Sequence, residues 1–196
     1  MNGLTIVPRA AFAQQPWKNG GGTTFEAIRR PPSGDPFLWR VSLAQIDSSG
    51  PFSDFTGYDR KMVLLQGHGV SLEFGNGEHR ALRAVGDWLQ FDGGIPVHCR
   101  LLDGPCTDFN LMVSKSMQTA ARIEQLRGNL ALDAARGQTM LIFSLEDPVS
   151  IDSAAGESQR LEPWDLALLS QGSARLNRIM ADTPAASAVF IATIRQ

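Results

Sequence analysis

The chain has 196 residues, of which 18 are basic and 20 acidic, for a net charge of −2. That length buries a sizeable core, as one large domain or two small ones. The balanced charge, without a basic stripe, gives no electrostatic reason to expect nucleic acid as a partner. Nowhere do the roughly 18 uninterrupted apolar residues of a membrane span occur, and the amino terminus lacks the charged start and apolar segment of an export signal. The expected location is the cytoplasm. The 19 glycines and 11 prolines stand mostly at the ends of apolar runs, which fits many short strands and an all-β fold. Cys99 and Cys106 flank a turn at Asp103-Gly104-Pro105. In a reducing compartment they are expected as free thiols, and without neighbouring histidines they make a poor zinc site.

Residues 4–7, LTIV, are a short apolar run ended by Pro8. The first distinctive chemistry is PWKNGGGTT, residues 16–24. Gly20, Gly21 and Gly22 allow close backbone approach and expose amide donors, with Trp17, Lys18, Asn19, Thr23 and Thr24 beside them. A phosphate-binding P-loop places its lysine after the glycines and before a helix, so this is not one. The alternatives are a loop over a binding site and a flexible surface turn.

After the PPSGDP loop, residues 39–47 alternate: Trp39, Val41 and Leu43 face one way, Arg40, Ser42, Ala44 and Ile46 the other. Arg40 and Arg60 both fall within strands, where an arginine is rarely buried without a partner. Either they reach into a cavity to meet an anionic group, or they form rim salt bridges with acids such as Asp47, Asp54 or Asp59.

From Gly57 to His98 the pattern is that of half a small barrel. Val70, Leu72 and Phe74 alternate with Ser71, Glu73 and Gly75, as in a half-buried strand. Gly75-Asn76-Gly77 then supplies residues that accept positive φ, which a tight hairpin turn requires. This stretch resembles the cupin barrel, whose second motif ends in a histidine, here His98. Counting back from Gly67, the positions that supply a cupin's metal-binding glutamate and histidine pair hold Arg60, Asp54 and Thr56. The resemblance therefore implies a barrel that binds a small organic ligand without a metal cofactor, since one histidine cannot hold such an ion.

Beyond His98, residues 99–102 and 108–113 read as two strands, with Asp108 and Asn110 on one face of the second. Residues 117–127 fit an amphipathic helix by spacing, with a strand as the alternative. The last third echoes the middle. Val149–Asp152 matches Val70–Glu73 at an offset of 149 − 70 = 79, Leu161 matches Leu82 at the same offset, and Asp165 matches Asp87 at 165 − 87 = 78. Such order-preserving repetition predicts a second barrel or half-barrel. We expect one cupin-like unit over residues 1–115 carrying the site and a second, structural one over 116–196, with strands open to exchange between them.

PWKNGGGTT, WRVSLAQID, GPFSDFTGYDRKMVLLQGHGVSL and FDGGIPVHCRLLDGPCTDFNLMV together resemble the HutD/Ves family of bacterial cytosolic bicupins, over residues 4–115. The resemblance implies a role in tuning histidine utilisation and brings no established reaction. By that likeness the ligand-binding set is Trp17, Lys18, Asn19, Gly20, Gly21, Gly22, Thr23, Arg40, Ser42, Asp59, Arg60, His98, Asp108 and Asn110, and it also includes Thr24 and Phe52. Lys18, Arg40 and Arg60 are expected to hold a carboxylate, glycine amides and Asn110 to add neutral hydrogen bonds, and Trp17 or Phe52 to cover the apolar part. The leading expectation is a small-molecule sensor of an anionic metabolite, urocanate or a formylated glutamate derivative, acting as a binding module and open to forming a homodimer. The alternative is a metal-free isomerase or lyase using His98 with Asp59 or Asp108 as acid and base.

Overall fold

A computed structural model of the protein describes residues 3–154, 156–178 and 187–195. Apart from one turn of 3-10 helix at Arg9–Ala11, every element among the described residues is a strand. In chain order these are β1 (Leu4–Val7), β2 (Ala13–Pro16), β3 (Gly22–Arg30), β4 (Trp39–Ile46), β5 (Gly50–Pro51), β6 (Tyr58–Gln66), β7 (Val70–Phe74), β8 (His79–Leu82) and β9 (Trp88–Asp92). They continue through β10 (Val97–Leu101), β11 (Cys106–Ser114), β12 (Gln118–Leu126), β13 (Asn129–Ser144), β14 (Val149–Ser153), β15 (Ser158–Leu161), β16 (Leu166–Arg178) and β17 (Ser187–Arg195). All pairings are antiparallel.

The chain divides into two compact units, one of residues 12–116 and one of residues 1–11 with 117–196. The amino-terminal unit expected over 1–115 thus lacks its first strand: β1 pairs with β16, Leu4 opposite Leu169 and Val7 opposite Leu166. Within the 117–127 stretch, residues 118–126 form β12, paired with β17 throughout. Thr119, Ala121 and Ile123 are half-buried while Ala120 and Arg122 are exposed, which is the period of a strand.

In the 12–116 unit a six-stranded sheet, in the order β2-β3-β4-β11-β6-β9, accompanies a four-stranded one, β5-β10-β7-β8. The inner faces share a core of Ile46, Met62, Leu64, Val70, Leu72, Phe74, Val97, Cys99 and Cys106. Val70, Leu72 and Phe74 are buried and Glu73 is exposed, as the alternation requires. Gly77 closes the β7–β8 hairpin at φ 84°, a conformation that glycine adopts without steric cost. The buried thiols of Cys99 and Cys106 are free.

The other unit repeats this hairpin. β14 pairs with β15 through Val149 opposite Leu161, the counterpart at 79 residues of Val70 opposite Leu82. The next turn repeats as well. Asp87 accepts hydrogen bonds from the backbone of Arg83 and Ala84, and Asp165 accepts from Glu162, 78 residues beyond Ala84. In both places the aspartate's own amide returns a bond, to Ala84 and to Glu162 respectively. The echo in sequence is an echo in turn chemistry, because a carboxylate that accepts from the backbone of its own turn fixes the tight entry into the following strand.

Candidate functional site

A cavity of about 570 Å³ lies in the 12–116 unit, within the range of small-molecule sites. Its floor comes from three neighbouring strands: Arg40, Ser42, Ala44 and Ile46 from β4, Asp108, Asn110 and Met112 from β11, and Arg60 from β6. The period of two explains the set, since alternate residues of paired strands share a face. The register places Ser42 opposite Asn110, and Arg40 and Arg60 both opposite Met112. Phe52 and Phe55 line the cavity from the segments after β4, and Trp17, Lys18 and Asn19 from the β2–β3 turn.

Arg60 is almost wholly buried, at 5% exposure. Three aromatic rings surround its guanidinium, those of Phe52 at 5.1 Å, Phe55 at 5.4 Å and Phe91 at 5.0 Å. Its Nη2 donates to Asn110 Oδ1 at 2.7 Å, and Asn110 Nδ2 donates in turn to Asp108 Oδ1. Arg40 lies over Phe37 at 5.3 Å and Phe55 at 5.2 Å, so Phe55 touches both guanidiniums. The Nε atoms of both arginines and Asp108 Oδ2 are buried without a hydrogen-bond partner. Buried polar atoms without a partner are costly, and these are closed off from the cavity, so the groups left to meet a ligand are the remaining guanidinium nitrogens.

The site's electrostatics follow from burial. Desolvation pulls Arg60 down to about 10, with Asp108 opposing and Arg40 adding to the shift. Arg40 is lowered chiefly by burial too. Desolvation pushes the Asp108 carboxyl up to about 7 against the pull of Arg60. At neutral pH the cavity therefore holds two guanidiniums and a partly protonated acid, with Lys18 at its exposed edge, and carries a net positive charge.

Of the residues expected in the site, Trp17, Lys18, Asn19, Arg40, Ser42, Arg60, Asp108 and Asn110 do line the cavity. Gly20, Gly21, Gly22, Thr23, Asp59 and His98 are not among its lining residues. His98 is exposed on β10 between the inward-facing Val97 and Cys99, opposite Glu73 and Pro51. Asp59 precedes Arg60 on β6 and so points to the other face. Asp54 and Thr56, at the positions of the cupin histidines, form a local turn in which Asp54 Oδ1 accepts from the amide and hydroxyl of Thr56. Among the described residues no three His, Cys, Asp or Glu side chains converge as metal ligands would.

The glycine run is a structural turn. Gly20 N donates to Trp17 O and Gly21 N to Asn19 Oδ1, so these amides are already engaged. Gly21 O accepts from Asp47 and Ser48, and Trp17 Nε1 donates to Thr24 Oγ1 at 2.8 Å. Close approach matters at one position only. A Cβ on Gly22 would lie 2.2 Å from Gln45 O and 3.1 Å from the Trp17 ring, whereas one on Gly21 would meet the movable Ser48 hydroxyl at 3.0 Å. Gly22→Ala is therefore expected to destabilise the unit by roughly 1–3 kcal/mol, and Gly21→Ala to stay within about 0.5 kcal/mol. Urea unfolding of the two variants checks this, and equal effects would contradict it.

Two cupin-like units, one containing a cavity lined by buried cations, define a bicupin. The chain belongs to the HutD family, whose model matches residues 9–187. It is 37% identical, over 84% of its length and 86% of the relative's, to an uncharacterised 21.2 kDa protein in the hutC 3′ region of Pseudomonas putida. It is 35% identical to the protein Ves of Cronobacter sakazakii, over 65% of this chain and 70% of that one. A conserved protein of unknown function from Pseudomonas aeruginosa superposes with a TM-score of 0.82 at 31% identity, covering 98% of this chain and 97% of the other. HutD from Pseudomonas fluorescens, solved in a formate condition, superposes with a TM-score of 0.79 at 30% identity, covering 98% and 99%. Oxalate decarboxylase of Lactobacillus farciminis, at 8% identity and a TM-score of 0.68 over 97% of this chain and 86% of its own, shares the fold alone.

Proposed function

We propose that this protein binds a small carboxylate in the cavity of its 12–116 unit, and that this binding informs the regulation of histidine utilisation rather than driving a reaction. The observation that carries the reading is the pair of buried guanidiniums that line the cavity floor and form no ion pair with any described residue, beside one acid and two added aromatic walls. A carboxylate accepts from both arginines and neutralises the surplus charge. Phe52 and Phe55 offer apolar cover for the rest of the ligand.

The relatives support the metabolic setting by name: one is encoded beside hutC, and one is HutD itself, solved with formate in its conditions. Urocanate and formylated glutamate derivatives both present a carboxylate with a small polar or apolar remainder that fits the volume. A thermal-shift screen of the purified protein against these intermediates, followed by a turnover assay on each binder, tests the reading. Stabilisation without consumption is the expected result. Consumption of a binder would favour the isomerase or lyase alternative, which the near-neutral Asp108 supports, although the histidine assigned as its partner lies exposed outside the cavity.

Lys18 gives a graded check. It is exposed and sits at the cavity edge, so its charge acts through a solvent-screened contact. Lys18→Ala is expected to weaken carboxylate binding by roughly two- to fivefold, equivalent to about 0.5–1 kcal/mol, with melting temperature unchanged. Calorimetric titration measures the first effect and a melting curve the second, and a large loss of stability would assign Lys18 to the fold.

A further inference from the structure

One cavity group fits poorly with a simple anion site. Asp108 is 1% exposed and shares the cavity with the arginines. Asn110 separates it from Arg60, accepting from the guanidinium through Oδ1 and donating to Asp108 Oδ1 through Nδ2. The second carboxylate oxygen, Oδ2, is buried with no partner. Ionised, that carboxylate would repel any anion drawn in by Arg40 and Arg60. Protonated, Asp108 repels nothing and Asn110 keeps its bond to Oδ1; Oδ2 itself is closed off from the cavity, so the coupling to the anion acts through charge.

We propose that the cavity takes up its carboxylate together with one proton, and that Asp108 Oδ2 carries it. The inference rests on the reading of the cavity as an anion site. No covalent bond forms or breaks. The proton comes from solvent, the ligand stays an anion, and Asp108 is neutral while the anion is bound.

The charges around Asp108 favour this coupling. Its carboxyl sits near 7 in the empty cavity because burial outweighs Arg60, and an anion on the guanidiniums cancels part of the field that holds it down. The groups facing it from the packed elements are Arg60 on β6, Arg40 on β4, Cys99 on β10 and Cys106 on β11, with Lys18 at the edge. Burial pushes both thiols up to about 12, so neither titrates near neutrality. Below about pH 7 Asp108 is already protonated and affinity is flat. Above it, binding must draw in the proton, and affinity falls as pH rises, by about tenfold per unit until the bound-state value is passed.

Isothermal titration calorimetry with formate and glutarate as probes, from pH 6 to 8.5 in two buffers of different ionisation enthalpy, counts the protons directly. Formate ionises well below that range, and the second carboxyl of glutarate only just below it, so the proton count is taken from formate. The expected result is uptake approaching one proton per ligand at pH 8, approaching none at pH 6, with Kd rising about tenfold per unit above pH 7. Asp108→Asn, whose amide can stand where the protonated oxygen would, should abolish both the uptake and the pH dependence and bind at pH 8.5 at least as tightly as the parent. Lys18→Ala should retain the slope. Binding at pH 8 without proton uptake would overturn the inference and leave the anion site standing. If neither probe binds at any pH, both fall. The proton count on the unmodified protein decides even if the Asn variant fails to fold.

Discussion

Asp108→Asn should make the empty protein more stable at pH 8, with the gain vanishing by about pH 4. In the unfolded chain this carboxyl ionises near its ordinary value of 3.8, and in the folded one near 7. Below 3.8 both states carry the proton, so the group contributes nothing to the pH dependence. Between the two values the folded state binds more protons than the unfolded one, so stability falls as pH rises through that window. Above about 7 the full penalty is in place. A shift of that width corresponds to about 4 kcal/mol at most, at roughly 1.4 kcal/mol per unit, and hydrogen bonds lost to the amide reduce the recoverable part. For a chain of this size that is a rise in melting temperature on the order of 10 °C. Melting curves of parent and variant at pH 4, 6 and 8 should diverge with increasing pH. Parallel curves would mean that Asp108 is not held protonated by burial.

Much of the cavity floor was legible in the chain because strands advertise their faces. Asp108 and Asn110 two apart, and Arg40 with Ser42, could be assigned to one side before any coordinates. Met112 and Ala44 continue the same series and could have been read from the same spacing. The alternation also held a warning about His98: Val97 and Cys99 are the apolar neighbours that turn inward, so the residue between them must point out. The resemblance to a histidine-bearing cupin motif outweighed that periodicity in the reading of the sequence. Asp59 fails for the same reason, being one step from Arg60.

Other features carry no local mark. Phe55 sits in a loop with no period, and only the fold brings its ring against Arg40 and Arg60. Nothing in LTIV announces that its partner is β16, near the other end of the chain. The glycine run signals closeness without saying to what. Here the close contact is Gly22 against the β4 backbone and the Trp17 ring, while the neighbouring amides close their own turn.

Replacing Arg60 with methionine should cost the protein its ligand and leave its fold nearly untouched. Methionine fills much of the same volume between Phe52, Phe55 and Phe91 and makes favourable sulfur–aromatic contacts, so no large void opens. Removing one member of a buried charged pair is usually destabilising because the other charge is stranded. Asp108 escapes that fate: burial already raises its carboxyl to about 7, and loss of Arg60 removes the field opposing that rise. It simply keeps its proton at neutral pH. The remaining cost is the hydrogen bond to Asn110 Oδ1, about 1 kcal/mol. Binding loses far more, since the deepest charge-assisted donor to the carboxylate is gone: roughly 1.5–3 kcal/mol, a ten- to hundredfold rise in Kd. Calorimetric titration with formate and glutarate, set beside urea unfolding at pH 7, separates the two. If Arg60→Met unfolds several molar earlier in urea while the surviving folded protein binds as before, Arg60 is a structural cation held by its aromatic walls, and the anion must be sought elsewhere in the fold.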